Sequence, residues 1–265
     1  VLSNERLQQL SSQVEPIVRA AGKLLLSYFH KQMKYTKKED NSFVTEADLV
    51  TEKFLIKELS PLIVGAAFLA EESGNSGSGD YRWVIDSLDG TTNFARGLPY
   101  FCISVALTYK NQPILGVVYQ PLLDEYFYAC HDGDAVLNGV PITVSKRKSI
   151  SDSMIVVALP YAKDGYFDET MEVISKVASE SYSFRYLGSV ALDLAYVASG
   201  RIDGLFLRQS AWWDVAAGIL LVQRARGVVI DMAGEGVRKG DDLLVATSPV
   251  LEEDLRYLIE GEQMW

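Results

Sequence analysis

The sequence predicts an α+β protein, a layered αβαβα sandwich with mixed, largely antiparallel sheets. Three observations predict it. Apolar residues recur at helical spacing near the N-terminus, apolar runs joined by turn residues fill the middle of the chain, and the remainder mixes helices with short strands. The composition, 48% hydrophobic and 23% charged, is that of an ordered core rather than a disordered chain. With no internal repeat or long linker, residues 1–265 are expected to form one domain; two closely packed halves meeting near residue 150 are the alternative.

Leu10, Val14, Ile17, Val18, Ala21, Leu24 and Leu25 predict an amphipathic helix over residues 4–30. The lysine-rich stretch 32–42 reads as a loop or hairpin, and Thr45 with Asp48 opens a second helix running to Leu59. Pro61 stops it. A buried strand is expected over 63–69, a turn or flap over 73–80, and a short strand over 83–85. Residues 101–108, 114–119 and 125–130 read as successive antiparallel strands. A short run at 135–137, an Asn138-Gly139 turn and a strand at 153–158 follow. The second half predicts helices over 168–179, 190–198, 214–226 and 251–259, with strands over 183–187, 202–206, 227–231 and 243–246.

A formal net charge of −10 leaves no overall positive field for a nucleic-acid polymer, and the basic run Lys37-Lys38 is followed at once by Glu39-Asp40. An acidic protein can still take a phosphate ester where bound cations reverse the local sign. Two cysteines, Cys102 and Cys130, lack the pattern of a disulfide scaffold or thiolate zinc site, and two histidines are too few for a histidine metal cage. The apolar stretches 61–70 and 216–222 are too short to span a membrane, and no signal-like segment is seen, so cytoplasm is the expected location.

The chemistry is carried by acids at strand ends and helix starts. In Trp83-Val84-Ile85-Asp86-Ser87-Leu88-Asp89-Gly90-Thr91-Thr92-Asn93-Phe94, a strand delivers Asp86 and a turn delivers Asp89, with Gly90 letting the backbone turn closely. Such a pair repels unless a counter-charge is present, and Mg²⁺ prefers oxygen ligands. Taken singly, each feature has an ordinary alternative: the aspartates as a turn and helix cap, Glu71-Glu72 as a solvated pair, Asp214 in Trp212-Trp213-Asp214 as an N-cap. With Asp48, a shared metal pocket accounts for their joint placement better than unrelated caps do.

These segments resemble the inositol monophosphatase-like family of Mg-dependent phosphomonoesterases. The resemblance rests on residues 83–94, Trp213-Asp214-Val215-Ala216-Ala217-Gly218, Glu71-Glu72-Ser73, Val44-Thr45-Glu46-Ala47-Asp48 and the stretch 188–196, in order and across essentially the whole chain. It implies metal ligation by Glu71, Asp86, Asp89, Asp214 and the Leu88 carbonyl, with Asp86 bridging two Mg²⁺ ions. It further implies that Thr91 contacts the nucleophilic water with Asp48 behind it, and that Glu72 helps orient that water or a third ion. Gly90, Thr91 and Thr92 would position the phosphate, and Gly188, Ser189 and Val190 would lie beside the organic group of the ester. The expected reaction is in-line hydrolysis of a small phosphorylated polyol, sugar or related metabolite, by a chain that forms a homodimer.

Two departures bear on this. The sugar-contacting glutamate of the family falls at Leu207, which cannot accept a hydrogen bond from a hydroxyl. Beside it, Arg208 is a candidate contact for a second negative group, the alternative being an exposed basic residue. The usual proline between the central aspartates is Ser87, expected to loosen the turn. The leading substrate is myo-inositol monophosphate; histidinol phosphate, a sugar bisphosphate and 3′-phosphoadenosine 5′-phosphate are alternatives, and a non-catalytic regulatory interaction protein is the rival class.

Overall fold

Of the predicted stripe, Leu10, Val14, Val18, Ala21 and Leu25 are buried in α1 (Asn4–Leu26), joined by Leu7, while Ile17 and Leu24 are half-buried. The computed structural model describes residues 2–31, 35–37, 43–159 and 167–260. The helix stops short of residue 30: the Ser27 N–H caps the Lys23 and Leu24 carbonyls at 3.1 Å, and His30 turns the chain with φ +64°. Of the stretch expected to be a loop or hairpin, β1 (Tyr35–Lys37) is described, and it pairs antiparallel with β2 (Phe43–Thr45), which lies beyond it. Residues 32–34 and 38–42, including Lys38, Glu39 and Asp40, lie outside the described residues.

Thr45 caps α2 (Glu46–Leu59) in a capping box with Asp48. Three expectations in the next segment need correction. Residues 60–62 form a turn of 3₁₀ helix and Gly65 takes φ +81°, so the buried strand is β3 (Ala67–Ala70) rather than 63–69. The polar stretch read as a flap contains β4 (Gly74–Ser76), antiparallel to β3. The strand placed at 83–85 is β5 (Tyr81–Asp89), which carries both aspartates through a register shift against its neighbour between Asp86 and Asp89.

After α3 (Thr91–Ala95), the predicted meander is β6 (Cys102–Tyr109), β7 (Gln112–Gln120) and β8 (Glu125–Cys130), closed by β9 (Val136–Leu137) and β10 (Val140–Pro141). Lys110-Asn111 and Asn138-Gly139 take left-handed angles in the two-residue turns. These strands build an eight-stranded sheet, ordered β10-β9-β8-β7-β6-β5-β3-β4, in which β3 and β5 run parallel.

The second half supplies β11 (Met154–Ala158), α4 (Phe167–Glu180), β12 (Ser183–Arg185), α5 (Val190–Ala198), β13 (Gly204–Arg208), α6 (Trp212–Arg224), β14 (Val228–Ile230), β15 (Leu243–Thr247) and α7 (Glu252–Glu260). The strands form a five-stranded mixed sheet, β12-β11-β13-β15-β14. α6 begins two residues before the expected 214, which makes Asp214 the third helical residue and not the cap.

Strand alternation sorts the apolar side chains into three cores. Trp83 and Ile85 of β5 face α1 and α2, whereas Val84 faces α5 and α6. On the second sheet, Val156 and Ala158 share the α5–α6 core, while Ile155 and Val157 pack with α4 and α7 residues. The order is helix, sheet, helix, sheet, helix, the layered sandwich that the element pattern predicts. Among the described residues, no helix is long and apolar enough to cross a membrane.

Candidate active site

The sheets and the N-terminal ends of α3, α5 and α6 border a cavity of about 240 Å³. Its walls hold Glu71, Asp86, Asp89 and Asp214, with Leu88, Gly90, Thr91, Thr92, Gly188, Ser189, Val190 and Leu207. Residues separated by more than a hundred positions in sequence thus meet because β5, α5 and α6 all deliver an end there. Asp48 and Glu72 are not part of the lining.

Asp86 is 2% exposed and Asp89 7%. Burial first, then the charges of Glu71, Asp89 and Asp214, push the Asp86 carboxyl well above the usual carboxylate range. Asp86 Oδ1 accepts the Leu88 N–H at 2.9 Å, which folds the bulge around it. Burial also raises Asp89, to about 6, against hydrogen bonds from Ser189 and Ala191. Those bonds, Ser189 Oγ at 2.8 Å and Ala191 N–H at 2.7 Å to Asp89 Oδ2, set the carboxylate on the N-terminal end of α5. Ser189, expected beside the organic group, lines the cavity while spending its hydroxyl on Asp89.

Gly90 takes φ +93°, and a Cβ there would stand 3.0 Å from the Tyr100 carbonyl oxygen, so glycine is needed on both counts. Thr91 Oγ1 lies 3.0 Å from both Asp48 Oδ1 and the Leu88 carbonyl. Asp48 is 1% exposed and accepts from the Thr45 N–H at 2.8 Å and the Thr45 hydroxyl. Burial outweighs these bonds and lifts its carboxyl to about 6. The Ser87 hydroxyl donates to the Asp48 carbonyl at 2.9 Å, tying β5 to α2 where a proline would offer no such bond. Asp214 accepts the Ala211 N–H at 3.1 Å at the start of α6.

Leu207 is 2% exposed in the cavity wall. Arg208 is half-buried, absent from the lining, and paired with Glu169 at 2.7 Å. Trp212 belongs to the core, while Trp213 is half-buried and lines the cavity. Asp193, 1% exposed and also lining the cavity, takes the Tyr100 hydroxyl at 2.6 Å. The sequence signal for it is a lone acid inside the apolar helical run Ala191-Leu192-Asp193-Leu194-Ala195. Among the described residues, no three His, Cys, Asp or Glu stand as a ready-made metal cluster. The carboxylates border one cavity without forming a closed cage.

Residues 6–262 match the sequence profile of the inositol monophosphatase family. The chain belongs to that family. Inositol-1-monophosphatase from Mesorhizobium japonicum is 35% identical over 249 residues, covering 93% of this chain and 94% of that protein. Nus factor SuhB from Escherichia coli is 36% identical over 220 residues, 82% of each chain. Among solved structures, extragenic suppressor protein suhB from Bartonella henselae superposes with a TM-score of 0.91 at 31% identity, covering 96% of this chain and 99% of its own. An IMPase from Thermotoga maritima gives 0.87 at 30% identity, with 96% and 97% covered. The fold described above is therefore that of the inositol monophosphatase family.

Proposed function

We propose that this inositol monophosphatase family member hydrolyses a small phosphomonoester in a Mg²⁺-dependent reaction, with myo-inositol monophosphate as the leading substrate. The observation that carries this reading is the burial of Asp86 beside the charges of Glu71, Asp89 and Asp214 at one cavity. The donors are all oxygen, the choice of a hard cation, and four carboxyl groups at one cavity, Asp86 and Asp89 buried and Glu71 and Asp214 half-buried, favour one. Glu71, Asp86, Asp89, Asp214 and the Leu88 carbonyl would hold two or three ions. When bound, Mg²⁺ lowers the pKa of a water and offsets charge on the phosphate and leaving oxygens.

The chain's own groups supply the rest. At neutral pH Asp48, raised to about 6, is largely ionised and draws the Thr91 proton towards itself. The Thr91 oxygen then presents a lone pair that orients the attacking water, and the water's proton passes through Thr91 to Asp48. The N–H groups of Thr91 and Thr92, in the first turn of α3, have no helical acceptor and can donate to the phosphate with the Thr92 hydroxyl. Glu72, next to Glu71 and like Asp48 outside the cavity lining, would help orient that water or hold a third ion. The products are the alcohol and inorganic phosphate.

The cavity, about 240 Å³, suits a compact ester. Leu207 withholds the acceptor that would select one polyol, which supports a range of small esters rather than strict inositol recognition. Esters with a second phosphate are less favoured, because Arg208 is engaged with Glu169. The Nus factor SuhB relatives favour a second reading, a regulatory interaction protein. Phosphate release from inositol, histidinol, sugar and nucleotide phosphates, with Mg²⁺ and with EDTA, separates them. Turnover is expected only with Mg²⁺ and to include myo-inositol monophosphate; a folded protein inactive across the panel favours the regulatory reading.

A further inference from the structure

Glu52, on α2, is 3% exposed and lies one helical turn beyond Asp48. Nothing in the chemistry described above uses it. A buried carboxylate is costly unless its oxygens are occupied, and both are: Oε2 accepts the Glu72 N–H at 2.8 Å and Oε1 accepts the Ser73 N–H at 2.9 Å. These donors belong to the turn between β3 and β4, the turn that begins with Glu71. The Glu71 N–H is itself bonded to the Ile85 carbonyl at 3.2 Å. That turn is therefore held on one side by β5 and on the other by a single side chain of α2.

Residues four apart share a helix face. Asp48 reaches Thr91 from this face, and Glu52 reaches the Glu71–Ser73 turn, so one rigid helix spaces the water-orienting pair from the Glu71 carboxylate. We propose that Glu52 is a positioning residue whose two backbone bonds fix the turn that presents Glu71 to the cation. Its function rests on the reading of the cavity as a Mg²⁺ site.

The test pairs Glu52→Ala with Glu52→Gln, which keeps the shape and one acceptor oxygen. In the metal-free full chain, hydrogen exchange at the Glu72 and Ser73 amides should accelerate about tenfold or more in Glu52→Ala, and less in Glu52→Gln, with the β6 and β7 amides unchanged. Calorimetric titration with Mg²⁺ alone should show affinity weakened roughly tenfold or more in Glu52→Ala, with the glutamine variant between it and wild type. The half-saturating Mg²⁺ for phosphate release should rise in parallel, while kcat at saturating Mg²⁺ stays within about threefold, because the interaction lost is one of cation affinity. Unchanged exchange at the two amides, or unchanged Mg²⁺ affinity despite faster exchange, overturns the proposal. Should Glu52→Ala not fold, the glutamine variant is compared with wild type in its place, and the same two outcomes overturn the proposal. A wild-type chain that takes up no Mg²⁺ overturns the cavity reading instead, and the exchange result then still decides whether Glu52 holds the turn.

Discussion

Asp48 is a carboxylate buried with three hydrogen bonds, and burial still dominates its titration. A folded-state pKa raised from 3.8 to about 6 means that the protonated form is favoured by folding. Its contribution to stability is fully present below pH 3.8 and is lost as pH rises through about 6, a cost of roughly 3 kcal/mol at neutral pH. In metal-free protein, Asp48→Asn is therefore expected to flatten the decline in stability between pH 4 and 7, read by denaturant melts at each pH. On the proposed mechanism the same variant should lower kcat about 100-fold or more with little change in half-saturating Mg²⁺, because it would remove the proton acceptor and leave the proposed cation ligands. At Leu207, substitution by glutamate restores an acceptor to the cavity wall. The ratio of kcat/KM for inositol phosphate over a simple alkyl phosphate should rise about tenfold, with a loss of stability in the metal-free protein because the new carboxyl is buried among other acids.

At the scale of elements, Gly218 shows what a motif can conceal. It is legible as part of Trp213–Gly218, but the reason for glycine lies on another helix: a Cβ there would stand 2.5 Å from Leu194 Cβ, where α6 crosses α5. Gly218→Ala should destabilise by about 1–3 kcal/mol in urea unfolding, since the obstructing atom is a β-carbon and cannot swing away. The same division runs through the fold. Helices with a strong apolar stripe, and the strands of the meander, can be read from local pattern, and α5 has the bounds its pattern predicts. The strand β4, Gly74-Asn75-Ser76, cannot, because nothing in three polar or small residues favours a strand until β3 offers its edge. β5 extends beyond its apolar residues through Asp86 and Asp89 because β6 pairs with it there. The acids of the cavity are legible as clusters at element ends; the hold of Ser189 and Ala191 on Asp89, the tie from Ser87 to α2 and the grip of Glu52 are not, since each joins segments that meet only in the folded chain.

Across the whole molecule, five layers carry the two sheets and the ends of three helices to a common cavity, and the layers leave buried acids of one sign facing each other there. If Mg²⁺ matches this charge and the pair is used to cleave a phosphate ester, activity must follow both the cation and the most buried of its ligands. The most direct test is phosphate release from myo-inositol monophosphate as Mg²⁺ is titrated into EDTA-treated wild type and Asp86→Asn. The expected result is a saturable rise from a negligible baseline in the wild type and a flat response in an asparagine variant whose circular dichroism remains native. Release that is equally fast in EDTA, or a folded Asp86→Asn protein with the wild-type Mg²⁺ response, would contradict the assignment of this cavity as a Mg²⁺-dependent phosphatase site.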